Sequence, residues 1–382
     1  MRYNKGTGNF FRRNKSMVKV GSSSSRDSKW DWGLLGAAVL LTLFGLLMVY
    51  DSSQFEAFRD FGDKYYYIKK QISWVMPGIA ALLAAGMIDY HYWKRVSLPL
   101  LLFSVLMLLL VFIPHFGVSA YGAHRWLSIL GFTVQPAEII KLTSVIFLAA
   151  LLEQKVKAKQ FLLLVLVVSI IVGLLQKDLG SAIIFNIIAF SIYFGAGAPL
   201  RYIAGLAILG AVGAFGFVIA APYRVRRILA FLDPFYDPQG YSYHISQVLI
   251  ALGSGGWFGL GVGQSRQKFA YIPEVTTDSI FAIIGEEFGF VGSLVLILMF
   301  VYLLKKCFAI AMNAPDSFGK LLGLGLTVWL ASQAAINLAA MVALMPLTGV
   351  PLPFISYGGS ALLANLFAVG ILLNISRFQS QK

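Results

Sequence analysis

The chain runs Leu98-Pro-Leu-Leu-Leu-Phe-Ser-Val-Leu-Met-Leu-Leu-Leu-Val-Phe-Ile113 without a charged residue, and residues 161–175 form a second such run. An α-helix rises about 1.5 Å per residue, so about 20 apolar residues cross about 30 Å of hydrocarbon. The chain of 382 residues is 58% hydrophobic and 13% charged, whereas about a quarter of the residues in a soluble domain are charged. These features predict a polytopic membrane protein.

Further apolar segments continue this pattern along the chain. Those long enough to span a membrane lie near residues 33–50, 72–88, 97–114, 136–152, 161–176, 179–197, 202–220, 279–303, 318–345 and 359–376. We therefore predict an all-α polytopic membrane protein with about ten transmembrane helices. Residues 1–30 are basic and poor in apolar side chains, which predicts a disordered cytoplasmic tail before a single transmembrane domain at 31–378.

The net charge of +14 is spread over short segments between the apolar runs, such as 155–159 and 305–306. This distribution argues against a nucleic-acid partner and follows the positive-inside rule when the N-terminus is cytoplasmic. Both termini are then predicted in the cytoplasm. The longest connection, 221–278, becomes an extracytoplasmic loop between helices 7 and 8.

Carboxylates cluster at the start of the eighth predicted helix, in Pro273-Glu-Val-Thr-Thr-Asp278-Ser-Ile-Phe-Ala-Ile-Ile-Gly-Glu286-Glu287. Asp278 follows residue types that cap helices, so it is either such a cap or, as a carboxylate at the membrane surface, a general base. Glu286 and Glu287 lie roughly 12 Å deeper along the helix and cannot share a proton with Asp278. We expect them to support the site, mainly through hydrogen bonds.

Two pairs of polar residues occur near the fourth predicted helix. Glu138 and Lys141 are three residues apart and share a face turned to the bundle interior, where they are either an ion pair that joins helices or a contact to substrate. Arg125 and Trp126 lie just before this helix. They form either an aromatic anchor at the membrane interface or a site where a sugar stacks on the ring and a phosphate meets the guanidinium.

Arg224, Arg226 and Arg227 cluster in the predicted extracytoplasmic loop, where positive charge is normally sparse. They suit phosphate recognition or the anchoring of lipid headgroups. Turn residues fill 351–360, and their amides either cradle an anion or form only a turn and a helix cap. Asp178 is predicted to cap the sixth helix. The four histidines show no metal-ligand spacing.

These motifs occur in one order along the chain: Arg125-Trp126, Gln135-Pro-Ala-Glu138-Ile-Ile-Lys141, Asp178-Leu-Gly180, Tyr223-Arg224-Val-Arg226-Arg227-Ile228, Gly261-Val-Gly-Gln-Ser-Arg-Gln-Lys268, Pro273-Glu-Val-Thr-Thr-Asp278, Gly285-Glu-Glu287 and Pro353-Phe-Ile-Ser-Tyr-Gly-Gly359. In this set the chain resembles the SEDS family (shape, elongation, division and sporulation), the FtsW/RodA/SpoVE group. The resemblance extends from Trp32 to Phe378. The Gly-Glu-Glu form at Gly285 is more similar to the division and sporulation branch than to the elongation branch.

The resemblance implies a peptidoglycan glycosyltransferase that polymerises lipid II, a polyprenyl-pyrophosphate-linked disaccharide pentapeptide, at the outer face of the bacterial cytoplasmic membrane. In that family the acid that matches Asp278 is essential, and the ring that matches Trp126 is required. The implied partners are a class B penicillin-binding protein, which crosslinks the glycan, and other division proteins at the septum. Membrane lipid is a further expected partner.

This activity agrees with the residues, since one carboxylate suffices as base for an inverting transfer. The leaving pyrophosphate needs positive charge, from side chains or from a divalent cation, and no other cofactor is expected. Asp278 is the predicted catalytic residue. The predicted substrate-binding residues are Arg125, Trp126, Glu138, Lys141, Arg224, Arg226, Arg227, Lys268, Glu274, Ser356, Gly358 and Gly359. Asp178, Glu286 and Glu287 are predicted to support them.

Three positions depart from the family pattern. Lys177 replaces the usual Pro before Asp-Leu-Gly, Ser279 replaces a frequent Phe after the acid, and Tyr241-Ser-Tyr-His244 replaces a Gly-Tyr-Gln-like sequence. They affect the expected geometry of the loops, not the resemblance.

Two other functions stay open. A lipid II flippase, or another lipid-linked transporter, would need charged groups that reach both faces, and Glu138 and Lys141 are the plausible pair at mid-depth. A non-catalytic division scaffold would tolerate replacement of Asp278.

Overall fold

The computed structural model describes residues 30–379, apart from 115, 121, 122, 130, 154–157, 270 and most of 200–221. These residues form a bundle of α-helices with one small sheet. The helices are α1 (Trp32–Phe61), α2 (Tyr66–Met87), α3 (Tyr90–Leu110), α4 (Pro136–Leu152), α5 (Ala158–Ser169, continued by a π-helical turn at Ile170–Leu175), α6 (Leu179–Gly195), α7 (Pro222–Leu232), α8 (Tyr243–Ser254), α9 (Ile280–Met312), α10 (Ser317–Met341) and α11 (Gly359–Arg377).

The apolar segments predicted from the sequence coincide with helices, except that most of 202–220 and the tail before Trp30 lie outside the described residues. Six described helices are long and apolar enough to cross a membrane, namely Trp32–Phe61, Tyr90–Leu110, Ala158–Leu175, Ile280–Met312, Ser317–Met341 and Gly359–Arg377. The prediction of a helical multi-pass membrane protein is confirmed. The number of ten spans, and the sides on which the termini and the long loop lie, stay predictions.

The last helix, α11, forms the centre of the bundle. It contacts α1, α2, α3, α4, α9 and α10, and nearly all its side chains from Ser360 to Ile375 are buried. Glycines allow close approach here, since a Cβ at Gly370 would lie 2.4 Å from the carbonyl oxygen of Leu82 in α2. The loop before α11 is thereby attached to the centre of the bundle.

The first helix is longer than the sequence predicted. It has 30 residues, about 45 Å at the usual rise, which exceeds the hydrocarbon thickness of about 30 Å. Asp31 caps it by accepting a hydrogen bond from Leu34 N at 3.0 Å, and Gly62 ends it with φ 69°. The prediction stopped at residue 50 because polar residues, beginning with Asp51, follow the apolar run.

The long helix α9 is broken at Gly289, which has φ 66° and ψ −164°. A break leaves backbone groups without helical partners, and the segment 256–261 supplies them. Its backbone bonds with α9 are Leu260 N to Glu286 O, Gly261 N to Glu287 O, Phe290 N to Gly256 O and Val291 N to Trp257 O, all at 2.9–3.0 Å. The apolar, glycine-rich segment 256–261 of the long loop is therefore bonded to both sides of the break in α9.

A small antiparallel sheet lies between α3 and α4, and the all-α prediction did not include it. Its strands are β1 (Gly117–Ala120), β2 (Ala123–Ile129) and β3 (Phe132–Val134), in the order β1-β2-β3. Leu127 packs against Met107 and Val111 of the preceding segment. This contact holds the strand of Arg125 and Trp126 against the end of α3.

Candidate active site

Asp278 lies in the turn before α9, and its side chain is 7% exposed. One carboxylate oxygen, Oδ1, accepts a hydrogen bond from Thr277 Oγ1 at 3.2 Å. Ser279, not Asp278, occupies the N-cap position of α9, and no side-chain bond caps the helix there. Asp278 is therefore not the helix cap, and its carboxylate is available for chemistry.

Burial raises the pKa of Asp278 to about 6, while hydrogen bonding and the nearby charge of Arg227 act in the opposite direction. A carboxyl group with this pKa is largely ionised at neutral pH and is a stronger base than an ordinary Asp. General bases in enzymes are tuned in this direction by desolvation. The environment of Asp278 thus suits the acceptance of a proton from a hydroxyl group.

Two other segments hold the turn that carries Asp278. Asn337 of α10 donates from Nδ2 to the carbonyl oxygens of Asp278 and Val350, both at 2.8 Å. Tyr357 N donates to Thr276 O at 2.8 Å. The loop before α11 therefore forms one wall of the site.

The arginine cluster lies on α7. Arg227 Nη1 donates to Leu347 O in the loop before α11 at 3.2 Å, and its charge acts on Asp278. Arg226 and Arg227 are exposed, and Arg224 is half-buried. The arrangement brings at least one guanidinium to the predicted base. The role of all three in phosphate binding stays a prediction.

Glu138 and Lys141 form a fully buried ion pair, with Lys141 Nζ 2.7 Å from Glu138 Oε1. The expectation that they face the bundle interior is confirmed. Lys141 also donates to Gln333 Oε1 at 2.9 Å, and Gln333 Nε2 donates to Pro351 O at 3.2 Å. The pair is thus linked through Gln333 to Pro351 in the loop before α11. Contact with substrate stays a prediction for both residues.

Lys268 lies in a buried ion cluster and not on an open surface. Its Nζ is 2.9 Å from Asp51 Oδ1 and 3.1 Å from Glu287 Oε1. Glu286 accepts hydrogen bonds from Ser265 Oγ and, at 3.1 Å, from Arg266 N. Both glutamates thereby hold the segment 265–268, which agrees with a supporting role.

Asp51 was not among the predicted site residues. The sequence signal was present, because an acid directly after an apolar run on the same helix marks a polar site near the membrane. Because the first predicted helix ended at residue 50, Asp51 was not considered as part of that helix.

Arg125 and Asp178 belong to a second polar group. Arg125 donates from Nε to Gln176 O at 3.4 Å and from Nη2 to Lys177 O. Asp178 caps α6 as predicted, accepting from Ser181 N at 3.1 Å. Gln135 Nε2 donates to the other oxygen of Asp178 at 3.3 Å. Trp126 follows Arg125 on β2 and is half-buried.

The remaining predicted residues lie in turns. Ser356 Oγ accepts from Leu352 N at 2.8 Å within its own turn, and Gly358 N donates to Gln71 Oε1 at 3.2 Å. Gly359 lies against Trp74, since an added Cβ would be 2.1 Å from that ring. Glu274 is exposed, and its Oε2 accepts from Thr277 Oγ1 at 3.0 Å. Glu274 therefore lies at the rim of the same turn as Asp278, whereas the amide of Gly358 is already occupied.

His244 of α8 also reaches the turn, although the sequence did not predict it as a site residue. Its Nε2 lies 2.7 Å from Ser279 Oγ. Burial and the charge of Arg227 lower the pKa of His244 to about 4, so the ring is neutral at pH 7. Both partners of this bond are positions where the chain departs from the family pattern, which was the available signal.

A divalent cation was a possible counter-charge for pyrophosphate. In the part of the chain that the structure describes, no group of three His, Cys, Asp or Glu side chains could hold a metal ion. The charge that acts on Asp278 is the guanidinium of Arg227 and not a second acid. The divalent cation stays a prediction.

Sequence comparison identifies relatives over almost the whole chain. The family described as "Cell cycle protein" (FtsW/RodA/SpoVE) matches residues 32–381. A probable peptidoglycan glycosyltransferase FtsW from Geobacter sp. (strain M18) is 40% identical over 354 residues, 91% of this chain and 96% of the relative. Stage V sporulation protein E of Bacillus subtilis (strain 168) is 39% identical over 347 residues, 89% and 95% of the two chains.

Solved structures share the fold. One is a chain from work described as "Structural coordination of polymerization and crosslinking by a peptidoglycan synthase complex", with a TM-score of 0.76 and 28% identity over 92% of this chain and 99% of that one. Another is the rod shape determining protein RodA of Thermus thermophilus, with a TM-score of 0.66 and 26% identity over 92% and 98% of the two chains.

Proposed function

The chain belongs to the FtsW/RodA/SpoVE family, and from this premise we propose that it is a peptidoglycan glycosyltransferase that polymerises lipid II into glycan strands during cell division. Relatives at about 40% identity carry the name of this enzyme. The observation that carries the proposal within the site is Asp278, a buried carboxyl group with a pKa of about 6 beside an exposed arginine. Neither a scaffold nor a flippase requires such a base.

Asp278 takes the proton from the acceptor sugar hydroxyl. The freed oxygen attacks the anomeric carbon of the donor, and the bond from that carbon to pyrophosphate breaks on the opposite face. The proton stays on the carboxyl group, and the electron pair leaves with pyrophosphate. One base accounts for inversion, because a covalent intermediate would need a second carboxylate close by.

The departing pyrophosphate gains charge in the transition state, which preorganised cations stabilise. Arg227, whose charge acts on Asp278, serves this role together with Arg224 and Arg226 of the same helix. Arg125 and Trp126 bind phosphate and sugar further from Asp278. Glu138, Lys141 and Lys268 act through the loops that they hold, because the two lysine ammonium groups are buried in bonds to protein, one of them to Glu138.

The active site lies at the outer face of the bacterial cytoplasmic membrane, where lipid II presents its sugars, and the protein works at the division septum. A class B penicillin-binding protein is its crosslinking partner. The similarity to a chain from a peptidoglycan synthase complex that polymerises and crosslinks supports this partnership.

The test is polymerisation of labelled lipid II by the purified protein with its penicillin-binding partner. Asp278→Asn should abolish glycan strands and leave folding and partner binding intact. Asp60→Asn is the matched control, because Asp60 is exposed and bonds to its neighbour Arg59. Long strands from Asp278→Asn would contradict the assignment of the base. Lipid II transport across vesicles without polymerisation by the unmodified complex would favour the flippase instead.

A further inference from the structure

We propose that His244 is a positioning residue for Asp278, acting through Ser279. The inference rests on the proposed function, since it assigns a role in the same reaction. Its basis is the bond of 2.7 Å between His244 Nε2 and Ser279 Oγ, which joins α8 to the residue directly after the base.

The peptide bond between Asp278 and Ser279 is held from two sides. Asn337 of α10 donates to the Asp278 carbonyl oxygen at 2.8 Å. His244 of α8 holds the side chain of Ser279 on the other side. Loss of either bond would free one end of this short segment, so both bonds restrict the backbone position from which the Asp278 carboxylate projects.

The bond between Ser279 and His244 takes the place of the N-cap hydrogen bond that a serine at this position usually makes. Serine at an N-cap position normally accepts a hydrogen bond from a backbone N–H of the first helical turn. Ser279 occupies the N-cap position of α9 but makes no such bond, and its hydroxyl lies against His244 instead. The helix therefore gives up a stabilising cap, and the contact to α8 takes its place.

The charge of the ring suits positioning better than catalysis. A neutral imidazole offers one donor and one acceptor nitrogen, and Nε2 is already occupied by Ser279. A protonated ring would be repelled by the nearby charge of Arg227. The low pKa of His244 keeps the ring neutral and makes it a weak base, so Asp278 remains the group that takes the proton.

The packing of α8 allows the bond between His244 and Ser279 to connect Asp278 with a larger part of the molecule. This helix contacts α9 and α10, and its residues Ile245 and Val248 are buried. The segment that follows it, 256–261, is bonded into the break of α9. His244 therefore connects the base to the whole segment 243–261, and a shift of that segment would be transmitted to Asp278.

The experiment measures kcat and KM for lipid II in the complex with the penicillin-binding partner. His244→Ala and Ser279→Ala should each lower kcat roughly 10-fold, because small misplacements of a catalytic group are costly, and should leave KM within about 2-fold. His244→Gln should restore most of the rate, since its amide can bond to Ser279 Oγ. The double Ala variant should lose no more than either single variant, because both remove one interaction.

Ile250→Ala is the matched control, a truncation at an exposed position of the same helix. Thermal melting and co-purification with the partner establish that the variants fold. If His244→Ala does not fold, Ser279→Ala decides, and an unchanged kcat overturns the inference. A multiplied loss in the double variant, or His244→Gln as slow as His244→Ala, also overturns it. No strands from the unmodified complex would overturn the proposed function, whereas normal strands from His244→Ala overturn this inference alone.

Discussion

At the scale of single residues, the site is a balance of charges around one carboxyl group. Burial favours the protonated form of Asp278, and the guanidinium of Arg227 favours the ionised form. A pKa of about 6 is the outcome, so the base is active at neutral pH and becomes protonated in mildly acidic solution. The rate of polymerisation should therefore fall as the pH falls through about 6.

Replacing Arg227 by Gln should move this fall to higher pH. Arg227 lowers the pKa of Asp278, so its removal raises that pKa, and the carboxylate is lost earlier as the solution is acidified. The rate at pH 7 should drop, and KM for lipid II should rise because a phosphate contact is lost as well. The measurement is the pH dependence of kcat and KM for labelled lipid II between pH 5 and 8.

Arg226→Gln is the matched control for that measurement, because Arg226 is exposed on the same helix and is not among the groups that shift the pKa of Asp278. In Arg226→Gln, kcat should fall at the same acidic pH as in the unmodified protein. If kcat of Arg227→Gln also falls at this unchanged pH, the charges of Arg227 and Asp278 do not interact in the working enzyme.

At the scale of helices and strands, the sequence predicted what hydrophobicity alone determines. A backbone in hydrocarbon must satisfy its own hydrogen bonds, so apolar runs become helices whatever surrounds them. The length of α1 beyond residue 50 and the sheet at 117–134 depend instead on contacts from elsewhere, such as Leu127 against Met107. The pattern of apolar residues along the sequence does not predict such contacts between distant residues.

The same limit applies within the site. Asp278 and the arginines could be recognised because they lie in compact motifs. The bond from His244 to Ser279 joins positions 35 residues apart, and Lys268 meets Asp51 across 217 positions. Only the packing of α1, α8 and α9 brings these groups together.

The break in α9 leads to a prediction about one glycine. Gly289 has φ 66°, and a Cβ there would lie 2.3 Å from Gly259 N. Gly289→Ala should therefore destabilise the protein by at least about 1–3 kcal/mol, from backbone strain and from displacement of the docked segment. Thermal melting measures the loss, and limited proteolysis between residues 255 and 268 reports the released segment. Gly36→Ala is the control, because a Cβ there meets nothing within 4 Å, and a Gly289→Ala variant that melts like it would refute the strain.

At the scale of the whole molecule, the catalytic carboxyl group lies on a connection between helices, and the bundle holds such connections by buried polar and charged side chains. Asn337 and the Lys141–Gln333 pair reach the loop before α11 from the bundle. Lys268 fixes the long connection between α8 and α9 by its bonds to Asp51 of α1 and Glu287 of α9. Buried charges in a membrane protein are tolerated mainly when they pair with one another, as Lys141 does with Glu138 and Lys268 with Asp51 and Glu287.

Lys268→Met tests this view against direct binding of pyrophosphate by Lys268. Removing the one cation leaves two buried carboxylates facing each other, which should cost about 3–5 kcal/mol and lower the melting temperature of the purified protein. Adding Asp51→Asn should recover part of the loss, since the repulsion between Asp51 and Glu287 disappears. Lys64→Met, at an exposed lysine, should leave melting unchanged. A Lys268→Met variant that melts normally but has a raised KM for lipid II would instead place this lysine on the substrate.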